Sequence, residues 1–169
     1  MAKKLAITIS GAVSLGCYEA GVLFEVITAL DYHNRSADGE AKIEIDVLTG
    51  ASAGGMTAAI AAQKLLFEAE ALNDPYDNSL YRAWVKDIDL EGLLKLQAFE
   101  DPTHSLFSSN LVEDISKKHL TDRYTSGIPV ARNKHAAASD TIHLGLALAN
   151  LNGIDYQRDL RKRPAVPSI

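Results

Sequence analysis

At 169 residues, 47% hydrophobic and 23% charged, the chain has the size and composition of one soluble globular domain. Its net charge of −5 excludes a general nucleic-acid binder, because nothing would neutralise phosphates broadly. A single cysteine, Cys17, leaves no internal disulfide and no cysteine-built metal site.

The opening "MAKKLAITIS" sets two lysines before an apolar run too short for the ~7–15 residues of a signal-peptide core, so it reads as a strand. Leu5–Ile9 has no polar face, as expected of a strand buried on both sides in a parallel sheet. The loop Ser10-Gly11-Ala12-Val13-Ser14-Leu15-Gly16 follows. From Cys17 to Leu30 the residues Val22, Leu23, Val26, Ile27 and Leu30 recur at helical spacing. "HNRSADGEAK" reads as a polar loop, Ile43–Thr49 as a second strand and Ala53–Ala71 as a second helix. This alternation predicts an α/β fold with a mainly parallel sheet and helices on its faces.

Asn73-Asp74-Pro75 ends the second helix. Ser79–Val85 and Leu90–Leu96 read as short helices around Trp84. Asn110-Leu111-Val112-Glu113 has capping-box spacing, which predicts a helix to about His119. After a loop with Gly127 and Pro129, Thr141–Leu151 alternates large apolar with small residues, as a strand does, and Asn152-Gly153 signals a turn. Arg158, Arg161, Lys162 and Arg163 form a basic run that reads as solvated tail. No stretch approaches the ~20 apolar residues of a membrane span, and the implied location is cytoplasmic.

The chemistry concentrates where the second strand meets its helix. Gly50-Ala51-Ser52-Ala53-Gly54 is Gly-x-Ser-x-Gly in the strand–turn–helix context of a nucleophile elbow. Glycines flank the serine where the backbone must turn sharply, and the following helix aims free N–H groups at the same spot, that of Ala53 first. The loop after the first strand has the glycine gap of a phosphate-binding loop. Cys17-Tyr18 stand where that motif needs Lys and Ser/Thr, so it is better read as the second half of an oxyanion hole.

Together, "LAITISGAVSLGCYEAGVL" and "IDVLTGASAGGMTAAIAA" resemble the opening of the patatin-like phospholipases, densely over Leu5–Leu66 and more loosely beyond. The resemblance implies a three-layer α/β/α fold, with 1–169 as the N-terminal part of a single domain incomplete at its C-terminus. It implies Ser52 as nucleophile, Gly50 and Gly54 as the elbow glycines, and N–H groups of Gly11, Ala12, Val13 and Ala53 as the oxyanion hole. It further implies two-step hydrolysis of a lipid or small ester by a Ser-Asp dyad, with peripheral membrane contact and no cofactor.

Two departures stand out. Leu15 occupies the family's basic loop position, as in bacterial members with "GGVSLG"-like loops. The dyad's aspartate sits in a downstream Asp-Gly motif, whereas the only Asp-Gly here, Asp38-Gly39, precedes Ser52. Asp140, Asp155 and Asp159 are nearby substitutes that read as surface or turn. Among the histidines after Ser52 (His104, His119, His135 and His143), His135 is the one in a loop, while His143 reads as packed on a strand's small-residue face. No His/Cys/Asp/Glu cluster has metal-ligand spacing. A fragment of this kind would expose apolar sheet and self-associate. The alternatives are a catalytically silent scaffold or partner-binding domain, and a triad-type esterase using His135.

Overall fold

A computed structural model describes residues 1–12, 14–121 and 131–150. Strands β1 (Lys3–Ile9), β2 (Ile43–Ala51) and β3 (Ala138–Ala147) form a three-stranded parallel sheet in the order β1-β2-β3. Helix α1 (Gly16–Ser36) joins β1 to β2, and α2 (Ala53–Phe67) leaves β2. Three short helices follow: α3 (Ser79–Tyr81), running on as a π-turn over Arg82–Lys86; α4 (Leu90–Leu94); and α5 (Asn110–Ser116), running on as a π-turn over Lys117–Thr121.

Register explains which face is core. Leu5 pairs with Ile45, Ile7 with Leu48 and Leu48 with Leu144, so these side chains share the face that α1 and α2 cover. Ala6 pairs with Val47, and Thr8 with Thr49, on the opposite face, where β3 adds His143 and Gly145. Among the described residues no helix lies on that second face, and the third layer is not represented there. Lys4, Ala6 and Thr8 are accordingly exposed, which corrects the expectation that β1 is buried on both sides. The second face is polar at its base, where Lys4 Nζ meets Glu44 Oε2 at 2.8 Å and Ser139 Oγ at 2.7 Å. Thr49 Oγ1 donates to Thr8 Oγ1 at 2.9 Å.

The α1 stripe is rotated from the predicted one. Leu23, Ile27 and Leu30 are buried as expected, but Phe24 and Ala20 complete the face, while Val22 points outward. The helix also continues through His33–Ser36, which the sequence reading assigns to a loop. Buried Asn34 supplies the reason. Its Nδ2 donates to Ile43 O (2.7 Å) and Ala136 O (2.9 Å), and its Oδ1 accepts from Ile43 N (2.9 Å), tying the last turn of α1 to the start of β2. α2 packs close through Gly54, Gly55, Ala58, Ala61 and Ala62, with Ile60 and Leu65 filling the core. Burying each of the last two stabilises by about 1.5–3 kcal/mol.

The capping box at Asn110 does not form. The N-cap of α5 is Ser109, without a side-chain cap bond, and Asn110 Nδ2 donates to Asp114 instead. Glu100 takes over the entry, accepting from Gln97 N, Ser108 Oγ, Ser109 N and Ser109 Oγ at 2.6–2.9 Å. β3 begins at Ala138, three residues before the expected Thr141. The Asn152-Gly153 turn and the basic run at 158–163 lie outside the described residues.

Candidate active site

β2 carries the chain to Ala51 and α2 starts at Ala53, so Ser52 must make the entire change of direction. It does so at φ 50° and ψ −125°, the sole positive φ among described non-glycine residues. Such a conformation costs on the order of 1–3 kcal/mol and persists only where surrounding contacts over-determine it. Those contacts involve the flanking glycines. A Cβ at Gly50 would overlap the Gly54 carbonyl and lie 2.6 Å from Gly55 N. A Cβ at Gly54 would lie 2.5 Å from Ile9 O and 2.9 Å from Ile9 C, and closer still to Ser10 O. Both spots are occupied by backbone, which cannot swing aside, so both positions require glycine.

A serine at a helix N-cap ordinarily turns its hydroxyl back onto the helix N–H groups. Ser52 does not: it is exposed and forms no side-chain cap bond. The first N–H groups of α2 have no intrahelical partner, so that of buried Ala53 faces the turn unclaimed by the serine.

The loop after β1 lies against this turn. A Cβ at Gly11 would be 3.3 Å from Ser52 Cβ and 3.4 Å from Ala51 O, so Gly11 lies beside the serine turn with little room for a side chain. Ala12 is half-buried, Ser14 and Leu15 are exposed, and Val13 lies outside the described residues. The loop ends at buried Gly16, where α1 begins with Leu15 as an N-cap that makes no side-chain bond. Thus Gly11, Gly50, Ser52, Ala53 and Gly54 come together at the C-terminal ends of β1 and β2. Beside them a shallow groove of about 450 Å³ runs over Thr8–Ser10, Thr49–Ala51 and Gly145–Ala147.

The remaining candidates are not gathered there. No described side chain hydrogen-bonds the Ser52 hydroxyl, and no metal-binding cluster occurs among the described residues. His135 is buried at 5% exposure; its N–H donates to Leu65 O, its Nδ1 accepts from Ala137 N, and burial lowers its pKa. It precedes Ala138, which pairs with Ile45 at the start of β2, whereas Ser52 follows the end of β2. At about 3.3 Å per residue the separation along the strand is roughly 20 Å, so His135 cannot act on Ser52. His143 is exposed rather than packed. His104 bonds Asp101 on the surface at 3.0 Å. His119 is buried against Asp87 at 2.6 Å. Asp140 is exposed and paired with Lys134 at the start of β3, and Asp155 and Asp159 lie outside the described residues.

Sequence reasoning missed Trp84. Its ring packs on Gly16, with Cε3 and Cζ3 overlapping and Cη2 2.8 Å from where a Gly16 Cβ would stand.

Comparison with known proteins follows the same residues. "Uncharacterized protein y4iI" of Sinorhizobium fredii is 32% identical over 178 residues, which cover 90% of this chain and 24% of that protein. The chain therefore spans about a quarter of that relative's length. No solved structure matches the chain significantly. A family model described as patatin-like phospholipase matches residues 7–154, from within β1 past the end of β3. The chain belongs to the patatin-like phospholipase family.

Proposed function

We propose that this chain is part of a single patatin-like domain that hydrolyses lipid or small ester substrates, with Ser52 as nucleophile. The observation that carries the reading is the φ 50° of Ser52, held by backbone-packed Gly50 and Gly54 while its hydroxyl stays exposed, with no bond from a described side chain. Strain of this kind at an exposed serine has no structural use, whereas it presents the oxygen to a substrate.

In the proposed reaction Ser52 Oγ attacks the ester carbonyl carbon and its proton passes to the aspartate of a Ser-Asp dyad, a base that none of the described residues supplies. The negative oxygen is held by N–H groups of Gly11, Ala12, Val13 and Ala53. Collapse breaks the ester C–O bond and releases the alcohol with the proton. Water then attacks the acyl-serine, giving the free acid and restoring Ser52. Leu15 and Tyr18 on the loop side, and Leu146 and Leu148 at the end of β3, are exposed large apolar side chains near the same strand ends. They suit an acyl chain and contact with a lipid surface.

The second reading, a catalytically silent domain, is favoured by one observation: no described carboxylate or imidazole bonds Ser52. Turnover of a short-chain nitrophenyl ester and of a phospholipid in mixed micelles separates the two. The hydrolase reading expects turnover that Ser52→Ala lowers by about a thousandfold or more. Equal, background-level rates for wild type and variant would establish the silent reading.

A further inference from the structure

Between β1 and α1 the chain is packed at its entry, where the Ile9 and Ser10 carbonyls meet Gly54, and at its exit, where Gly16 lies under Trp84. The second contact is made by a residue distant in sequence, on a segment braced from both sides. Upstream, Asp77 accepts from Arg82 Nε at 2.8 Å, Arg82 Nη2 at 2.6 Å and Lys86 Nζ at 3.0 Å. Buried Asn78 caps α3, accepting from Tyr81 N at 2.8 Å and donating to Asp74 O at 2.8 Å. Downstream, Asp87 accepts from Lys118 Nζ at 2.7 Å and bonds His119 Nε2 at 2.6 Å, anchoring the π-turn to the one after α5. Trp84 Nε1 is buried with no acceptor among the described residues, and the ring packs against the core and on Gly16. Single π-turns inside helices frequently accompany functional sites.

We propose that Trp84 is a positioning residue: it clamps the exit of the loop and so keeps Gly11 seated against Ser52. The inference rests on reading that loop as the oxyanion-binding element. The indole lies against the core and also fills the space that Gly16 leaves open. Any side chain at Gly16 must displace the ring or lift the loop. Loss of the ring lets the loop retreat from the serine without touching Ser52 or its helix.

The test is the rate at which a fluorophosphonate probe modifies Ser52 in the full chain, resolved into a maximal rate and a half-saturating concentration. Trp84→Ala is expected to lower the maximal rate by about tenfold or more, with half-saturation little changed, since small misplacements act on the chemical step. Trp84→Phe should restore most of it. Gly16→Ala should slow the wild type comparably but have little further effect in the Trp84→Ala background, because both act through one contact. Additive effects, or a wild-type rate in folded Trp84→Ala, would overturn the proposal. If wild type takes no label at Ser52, the functional reading fails, and positioning is judged from the amide resonances of Gly11 and Ser14. Their displacement in Trp84→Ala, with those of the β3 start unmoved, upholds it; unchanged resonances overturn it. Trp84 is the only tryptophan, so a red shift of its emission in Gly16→Ala reports the same contact.

Discussion

Gly54→Ala tests the packing that holds the serine turn. In an ordinary helix the change favours stability by about 0.5–1 kcal/mol, because alanine has less backbone entropy to lose. Here the new methyl would lie 2.5 Å from Ile9 O and 2.9 Å from Ile9 C, and closer still to Ser10 O, all backbone atoms of β1 and its loop. Forcing them apart costs about 2–3 kcal/mol, the upper part of the overpacking range, leaving a net loss of roughly 1–2 kcal/mol. For a domain of this size that lowers the melting temperature by about 3–8 °C. Gly21, also in a helix but with nothing within 4 Å of its would-be Cβ, is the internal control. Gly21→Ala should raise the melting temperature by about 2–4 °C. Thermal unfolding followed by far-ultraviolet circular dichroism measures both. A Gly54→Ala variant as stable as Gly21→Ala would refute the idea that backbone contact makes glycine obligatory beside Ser52.

Ser52→Gly should be more stable than Ser52→Ala by about 1–2 kcal/mol in urea unfolding, since only glycine relieves the positive φ at 50°. Equal stabilities would mean that the turn is unstrained. Asn34→Ala removes three hydrogen bonds from a side chain 3% exposed and leaves Ile43 N–H among the groups unpaired. A loss of about 2–4 kcal/mol is expected by the same measurement, and a loss under about 1 kcal/mol would contradict it. The Glu100 carboxyl is held down to about 2, from an ordinary 4.5, by Gln97 N–H and the Ser108 hydroxyl and then by Ser109. A depressed acid contributes stability above its unfolded pKa that drains as pH falls towards the folded one. Wild type should therefore lose stability more steeply than Glu100→Gln between pH 4.5 and about 2. Parallel stability–pH curves would count against the anchor.

The legible parts of this fold are those decided locally. The β1–loop–α1 and β2–turn–α2 units follow from short apolar runs, helical periodicity and glycine placement. The strained Ser52 was readable because its glycines and its strand–helix context are contiguous in the chain. What was not legible depends on contacts across the sequence. Asn34 looks like loop composition until Ile43 and Ala136 are brought to it, and then it extends α1. Asn110 has the right spacing for a capping box, but Glu100 reaches the preceding serines first. His135 reads as a loop histidine and is instead buried at the opposite end of the strands from Ser52, where its backbone bonds Leu65. Trp84 gives no local hint of Gly16, because the contact joins the start of α1 to a turn reached only after α2.

On the proposed function, Ser52 is presented for nucleophilic attack. Intact mass after exposure to a fluorophosphonate probe tests it most directly, with wild type beside Ser52→Ala. A single adduct on wild type, mapped to the peptide bearing Ser52 and absent from the variant, is the predicted result. A folded wild-type protein that gains no adduct, or a Ser52→Ala variant that gains the same one, would contradict it.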